Sequence, residues 1–185
     1  DVGHELRTPL TVVRGHLELL DDNPVERQKT LDLVLDELDR MSRHVDDLLL
    51  LARAERPDVL RLRPVELREL LEGVLARVRP LGDRTWRIDP PAESAIVADP
   101  DRLTQALVNL ADNAVRHTPE GGLIELGARI SEGEACLWVR DEGAGIPPED
   151  QERVFERFAR GRDRRTRETQ GSGLGLAIVA AIARA

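Results

Sequence analysis

Cysteine occurs once, at Cys136, so the chain cannot close an internal disulfide and is neither a disulfide-stapled scaffold nor a cysteine-built zinc module. A reducing compartment is the expectation that follows. Methionine also occurs once, at Met41, so residue 1 is not an initiator and the sequence is expected to be a piece of a longer protein. Any signal peptide, transmembrane segment or sensor domain would then lie outside it. No stretch approaches the roughly 20 apolar residues that a membrane-spanning helix requires. Basic residues are outnumbered, with 27 Lys and Arg against 35 Asp and Glu, and the net charge of −8 argues against nucleic acid as the partner. What remains is ample for folding: 41 % of the 185 residues are hydrophobic and 34 % charged, enough for a core under an ionised surface.

From Glu5 to Leu20 the apolar positions Leu6, Leu10, Val13, Leu17 and Leu20 step by four, three, four and three, the pattern of an amphipathic helix with a narrow seam. Asp21, Asp22, Asn23 and Pro24 break it. A second run, Val25 to about Ala54, repeats the pattern through Leu31, Leu35, Leu38, Met41, Val45, Leu48 and Ala52. The two helices are expected to form an antiparallel hairpin over residues 1–56. A lone hairpin has little but its seam to bury, so pairing of two chains into a four-helix bundle is the economical solution. From residue 57 to 185 strand and helix signals alternate. Strands are expected at Val59–Arg63, Trp86–Ile88, Ala95–Ala98, Leu123–Ile130 and Glu134–Arg140. Helices are expected at Val65–Val78, at Asp101–His117 behind the N-cap Asp99 and Pro100, at Ile146–Phe158 and at Leu174–Arg184. The predicted fold class is α+β: the helical hairpin followed by a two-layer α/β sandwich.

Four constellations carry chemistry. In the first, His4-Glu5-Leu6-Arg7-Thr8-Pro9-Leu10, a helical turn of about 100° per residue sets His4 and Thr8 opposite the leucine seam. The histidine therefore faces water. A carboxylate such as Glu5 beside an imidazole can take its N–H proton and leave the other nitrogen nucleophilic. Read alone, a solvated surface histidine explains the same residues. The second is Asn109-Leu110-Ala111-Asp112-Asn113-Ala114-Val115-Arg116-His117, where Asn109, Asn113 and Arg116 make a polar stripe beside an apolar face of Leu103, Leu107, Leu110 and Ala114. Carboxamide oxygens are hard, neutral ligands suited to Mg²⁺ held chiefly by phosphates, and Arg116 suits a phosphate chain. The third and fourth are glycine boxes, Asp141-Glu142-Gly143-Ala144-Gly145-Ile146-Pro147 and Gly171-Ser172-Gly173-Leu174-Gly175-Leu176. Glycine lets backbone approach a ligand closely, and the second box feeds a helix N-terminus able to bind phosphate. Neither is a Walker loop or a dinucleotide fingerprint. Asp141 is expected to be the one acceptor in an otherwise apolar pocket, suited to an exocyclic amine such as that of adenine.

In order and spacing, HELRTPL, NLADNAVRHT, DEGAGIP, VFERFAR and GSGLGLAIV resemble the H, N, first glycine, F and second glycine boxes of the bacterial two-component sensor histidine kinases. The resemblance covers essentially the whole chain. It implies a dimerisation and phosphotransfer hairpin followed by a Bergerat-type ATP-binding domain. Its activity would be an ATP-dependent histidine kinase that phosphorylates itself and passes the phosphoryl group to an aspartate of a response-regulator receiver domain. Carried over by position, it implies His4 as phosphoacceptor, Glu5 as the acid/base beside it and Thr8 as the polar residue of the reverse, dephosphorylating reaction. Asn113 becomes the main Mg²⁺ ligand with Asn109 assisting, and Arg116 a phosphate contact. His117 stands where many relatives carry Tyr. Asp141 would read adenine in a pocket shaped by Gly143 and Gly145. Phe155 and Phe158 would anchor the ATP lid, Arg160 lie near the γ-phosphate, and Gly171, Gly173 and Gly175, with Leu174 among them, form the lid's hinge.

The resemblance further implies a homodimer, ATP and Mg²⁺ as ligands, and a parent anchored in the inner or plasma membrane with this portion in the cytoplasm. Hydrolytic members of the wider superfamily, such as gyrase, Hsp90 and mismatch-repair proteins, place a glutamate base near the position of Asn109. An asparagine cannot deprotonate water, which favours transfer to histidine. Relatives extend the first helix upstream of the histidine and add two strands after the last helix, so both ends are expected to be truncated, with C-terminal strands missing.

Overall fold

The structure, a computed structural model, describes residues 2–20, 23–54, 60–89, 95–159 and 173–185. The chain divides into two compact units, residues 1–49 and 50–185. The first is a helical hairpin of α1 (Val2–Glu18) and α2 (Pro24–Ala54), whose second helix runs on into the second unit. Asn23 explains where α2 starts: its Oδ1 accepts from the Val25 N–H at 3.0 Å and its carbonyl takes the Arg27 N–H at 2.9 Å, with Pro24 at the first position where no donor is needed. Pro9 lies inside α1, as the sequence requires.

The single leucine seam expected on each helix is split in the structure. On α1, Val13 is buried while Leu10 and Leu17 are exposed, as is Leu20 just past its end. On α2, Val34 is buried and Leu31, Met41 and Leu48 half-buried, whereas Leu35, Leu38 and Val45 stand in solvent. Each helix thus carries two adjacent apolar stripes, because a stripe stepping by three and four spans an arc of the helix too wide for one neighbour to cover.

The second unit contains β1 (Arg63–Glu66), α3 (Leu67–Val78), β2 (Thr85–Asp89), β3 (Ala95–Ala98), α4 (Pro100–His117), β4 (Leu123–Ser131), β5 (Glu134–Asp141) and α5 (Gly175–Arg184). β4 is the centre of a mixed sheet, parallel to β2 and antiparallel to β5. β4 and β5 are joined by a two-residue turn at Glu132 and Gly133, both at positive φ, the mirror-image turn that matches strand twist. β1 pairs with β3 as a separate antiparallel ribbon. On one face of the sheet, Leu67, Leu71, Val74 and Val78 of α3 and Leu107 and Ala111 of α4 bury Leu126 and Ala128. Val115 and Ala114 of α4 close the end of that core over Ile124. On the other face Trp138 lies flat over its cross-strand partner Gly127, whose missing side chain makes the room, and Arg87 holds the buried Glu125.

Two expected elements differ. The strand expected at Val59–Arg63 lies at Arg63–Glu66, while 60–62 are outside any strand and 55–59 are outside the described residues. The register explains the shift: Arg63 is opposite Ala98, so residue 62 would face Asp99, where β3 has already turned into α4 and offers no ladder. The helix expected at Ile146–Phe158 is instead two separate 3₁₀ turns, Pro148–Asp150 and Arg153–Phe155. Burial of Asp150, with Arg153 reaching its Oδ1 at 3.3 Å, fixes one tight turn, and Phe158 at φ +61 lies outside the right-handed helical region.

Candidate functional site

α4 is the frame of the site. Asp99 caps it, its carboxylate accepting from the Asp101 and Arg102 N–H groups at 3.0 and 3.2 Å and from the Arg61 N–H at 2.9 Å. Burial alone would raise this carboxyl, but the three backbone donors, with the Arg102 charge, hold it below its ordinary 3.8. The helix buries Leu107, Ala111, Ala114 and Val115 and turns Asn109, Asn113 and His117, spaced by four, along its other side.

This stripe meets both glycine boxes. Asn109 Nδ2 donates to the Gly175 carbonyl at 3.4 Å, while its Oδ1 accepts from Gln105 at 3.0 Å. At the far end Gly143 presses on the His117 main chain: a Cβ on Gly143 would fall 2.7 Å from the His117 carbonyl oxygen and 2.6 Å from Asp141 Oδ1. Asn113 sits between these two contacts on the helix, half-buried. Asp112 and Arg116 pair on the neighbouring flank at 2.6 Å, which leaves the guanidinium oriented at the C-terminal end of α4. His117 is exposed. Gln105 and Asp112 escaped the sequence reading, since each acts by holding a neighbour four residues away, and that spacing was their only signal.

Asp141 ends β5. It is exposed, and its Oδ1 accepts from the Gly143 N–H at 2.7 Å, closing a turn there and leaving Oδ2 for a further donor. The short side chain two residues before a glycine finds that backbone donor locally. Gly145 has φ +75 and Gly173 φ +69, both in the region that glycine alone enters freely. Leu174 is wholly buried at the start of α5. Phe158 donates its N–H to the Gly173 carbonyl at 2.9 Å, joining the two ends of segment 159–172. Phe155, 45 % exposed, faces a groove with Ala177, Ala180 and Ala181. Arg160 and Gly171 lie outside the described residues. His4, Glu5 and Thr8 lie in α1, their side chains outside the described residues.

The donor set fits Mg²⁺ bound mainly through phosphate. It offers neutral carboxamide oxygens rather than a charged cage, and no group of three His, Cys, Asp or Glu among the described residues could hold a metal alone. No helix among the described residues is long and apolar enough to cross a membrane.

Comparison with known proteins gives the same assembly of parts. Residues 98–185 match the family described as histidine kinase-, DNA gyrase B-, and HSP90-like ATPases. Residues 1–57 match the His kinase A phosphoacceptor domain. The chain is 39 % identical over 190 residues to the probable sensor histidine kinase TcrY of Mycobacterium tuberculosis, an alignment covering 100 % of this chain and 40 % of TcrY. Among solved structures, the Acinetobacter baumannii histidine kinase AdeS superposes with a TM-score of 0.74 at 26 % identity, over 97 % of this chain and 85 % of that one. Histidine kinase ThkA, solved in complex with the response regulator protein TrrA, matches at a TM-score of 0.68 and 27 % identity, over 85 % of this chain and 48 % of that one. With the hairpin, the capped helix and the two glycine boxes in these places, the chain belongs to the two-component sensor histidine kinases, as a catalytic core of phosphoacceptor hairpin and ATP-binding domain.

Proposed function

We propose that this chain phosphorylates itself on His4 from ATP and passes the phosphoryl group to an aspartate of a response-regulator receiver domain, with Thr8 serving the reverse reaction. The observation that carries the reading is the 109–113–117 stripe of α4, which meets the second glycine box at the Gly175 carbonyl and the first at Gly143. Neutral carboxamides set between two glycine loops suit a cation carried on phosphate.

In the forward step the imidazole of His4 attacks the γ-phosphorus in line, the N–P bond forming as the bond to the bridging oxygen breaks and ADP leaves. Glu5 takes the ring proton. Asn113, assisted by the second lone pair of Asn109, would hold Mg²⁺, which when bound offsets charge on the phosphoryl oxygens. Arg116 orients the phosphate chain and Arg160 meets the γ-phosphate. Asp141 keeps one oxygen for the Gly143 turn and the other for the adenine amine.

The exposed stripe Leu35, Leu38, Val45 and Leu49 supports a homodimer, since a four-helix bundle gives each helix the second neighbour that its second stripe requires. ThkA in complex with TrrA supports a receiver partner. Because the chain spans 40 % of TcrY, whose name is that of a sensor, the parent is read as anchored in the inner or plasma membrane with this portion in the cytoplasm.

Incubation with γ-labelled ATP and Mg²⁺ tests the reading. Label should stay on the protein, be lost in acid and survive base, and be absent from His4→Gln and from Asn113→Ala. Release of labelled phosphate with none retained would make the chain an ATPase, and neither outcome a scaffold; either would overturn the kinase reading.

A further inference from the structure

Asp99 does more than a helix cap needs. One oxygen suffices to cap, and Asn, Ser or Thr do it about as well as Asp. Here Oδ1 alone serves the first turn of α4, through Asp101 and Arg102, while Oδ2 takes the Arg61 N–H, 38 residues earlier in the chain. Arg61 is among the first described residues after α2, at the point where the chain arrives from the hairpin, and the main-chain ladder between β1 and β3 has stopped short of it. The carboxylate, 7 % exposed, extends that ladder by one donor.

α4 is one continuous helix of 18 residues, and Asn113 lies 14 residues, about 21 Å, along it from Asp99. A helix packed along one face on α3 and the sheet moves as a rod. What steadies its 109–117 stripe also steadies the cap. We infer that Asp99 is a positioning residue that relays nucleotide occupancy of α4 to the main chain at Arg61, a relay that rests on the proposed nucleotide site and would report a loaded ATP-binding unit to the segment leading from the hairpin.

Amide hydrogen exchange on the full chain, with ADP and Mg²⁺ as the probe, reads this without any phosphorylation. In the wild type, bound nucleotide should slow exchange of the Arg61 amide about fivefold or more. In Asp99→Asn the cap survives on one oxygen, but the second becomes an NH₂ that cannot accept. ADP affinity by calorimetry should then stay within about twofold, while the nucleotide-dependent slowing at Arg61 disappears. Whichever way round the amide settles, one end of the relay is cut, so the slowing at Arg61 is lost in both cases. Should Asp99→Asn fail to fold, Asp99→Ser caps the helix with a hydroxyl too short to reach Arg61 and carries the same expectation. ADP binding without any slowing at Arg61 in the wild type, or slowing that persists in a capped variant throughout the segment, would overturn the inference. Calorimetry showing no ADP binding at all would overturn the nucleotide site first and the relay with it.

Discussion

Gly143 and Gly145 stand two residues apart and are required for different reasons. Gly145 has open space around its α-carbon but a φ of +75, so Gly145→Ala costs only the strain of the left-handed region, roughly 1 kcal/mol. Gly143 is fixed by its neighbours: a methyl there would strike the His117 carbonyl, which belongs to the end of α4 and cannot swing aside. Gly143→Ala should therefore push the first glycine box off α4. The expected losses are about 1–3 kcal/mol of stability and tenfold or more in ADP affinity, against less than threefold for Gly145→Ala. Thermal melts and calorimetry on the two variants check the contrast. The sequence marked both residues as a box but could not tell them apart, because a close approach involves a partner 26 positions away, which spacing does not reveal. Asp99 teaches the same lesson. Its capping role was legible from Asp-Pro ahead of an apolar period, whereas its bond to Arg61 depends on where β3 happens to end.

At the level of elements, periodicity located α1, α2, α4 and the β4–β5 hairpin within a few residues, since each is long enough for its own pattern to decide. It failed over 146–158, where a buried Asp150 and the tight turns around it override an apolar spacing that looks helical. It also merged two stripes on each hairpin helix into one seam, because three-four stepping cannot say how many neighbours share it. The split has a measurable consequence. Leu38, 43 % exposed in the single chain, belongs to the outer stripe, and burying a leucine stabilises by roughly 1.5–3 kcal/mol. A two-fold dimer contains that contact twice. Leu38→Glu should leave helix content unchanged and weaken self-association by two or more orders of magnitude on the order of that burial. Sedimentation of the wild type and variant over a concentration series measures it, and an equally dimeric Leu38→Glu would remove the outer stripe from the interface.

For the molecule as a whole, the division into units at residues 49 and 50 separates the proposed phosphoacceptor from the proposed ATP site. The proposed forward reaction needs both units, because it places ATP at α4 and the glycine boxes while His4 belongs to α1. Removal of a phosphoryl group from a partner's aspartate has a simpler requirement. It needs a water held in line, the role proposed for Thr8, which follows His4 by four positions on α1. The proposed attack by the imidazole makes no use of the Thr8 hydroxyl. Thr8→Ala should accordingly keep autophosphorylation within about threefold and lose some tenfold or more of the stimulated dephosphorylation of the phosphorylated receiver. Because Thr8 directly precedes Pro9, a distorted helix is the competing cause, and the two rates measured in one preparation separate them. Parallel loss of both would assign Thr8 to the geometry of α1, and undiminished dephosphorylation would remove it from the mechanism, whereas loss of the reverse rate alone shows that the hairpin uses different side chains for giving and for taking away the same group.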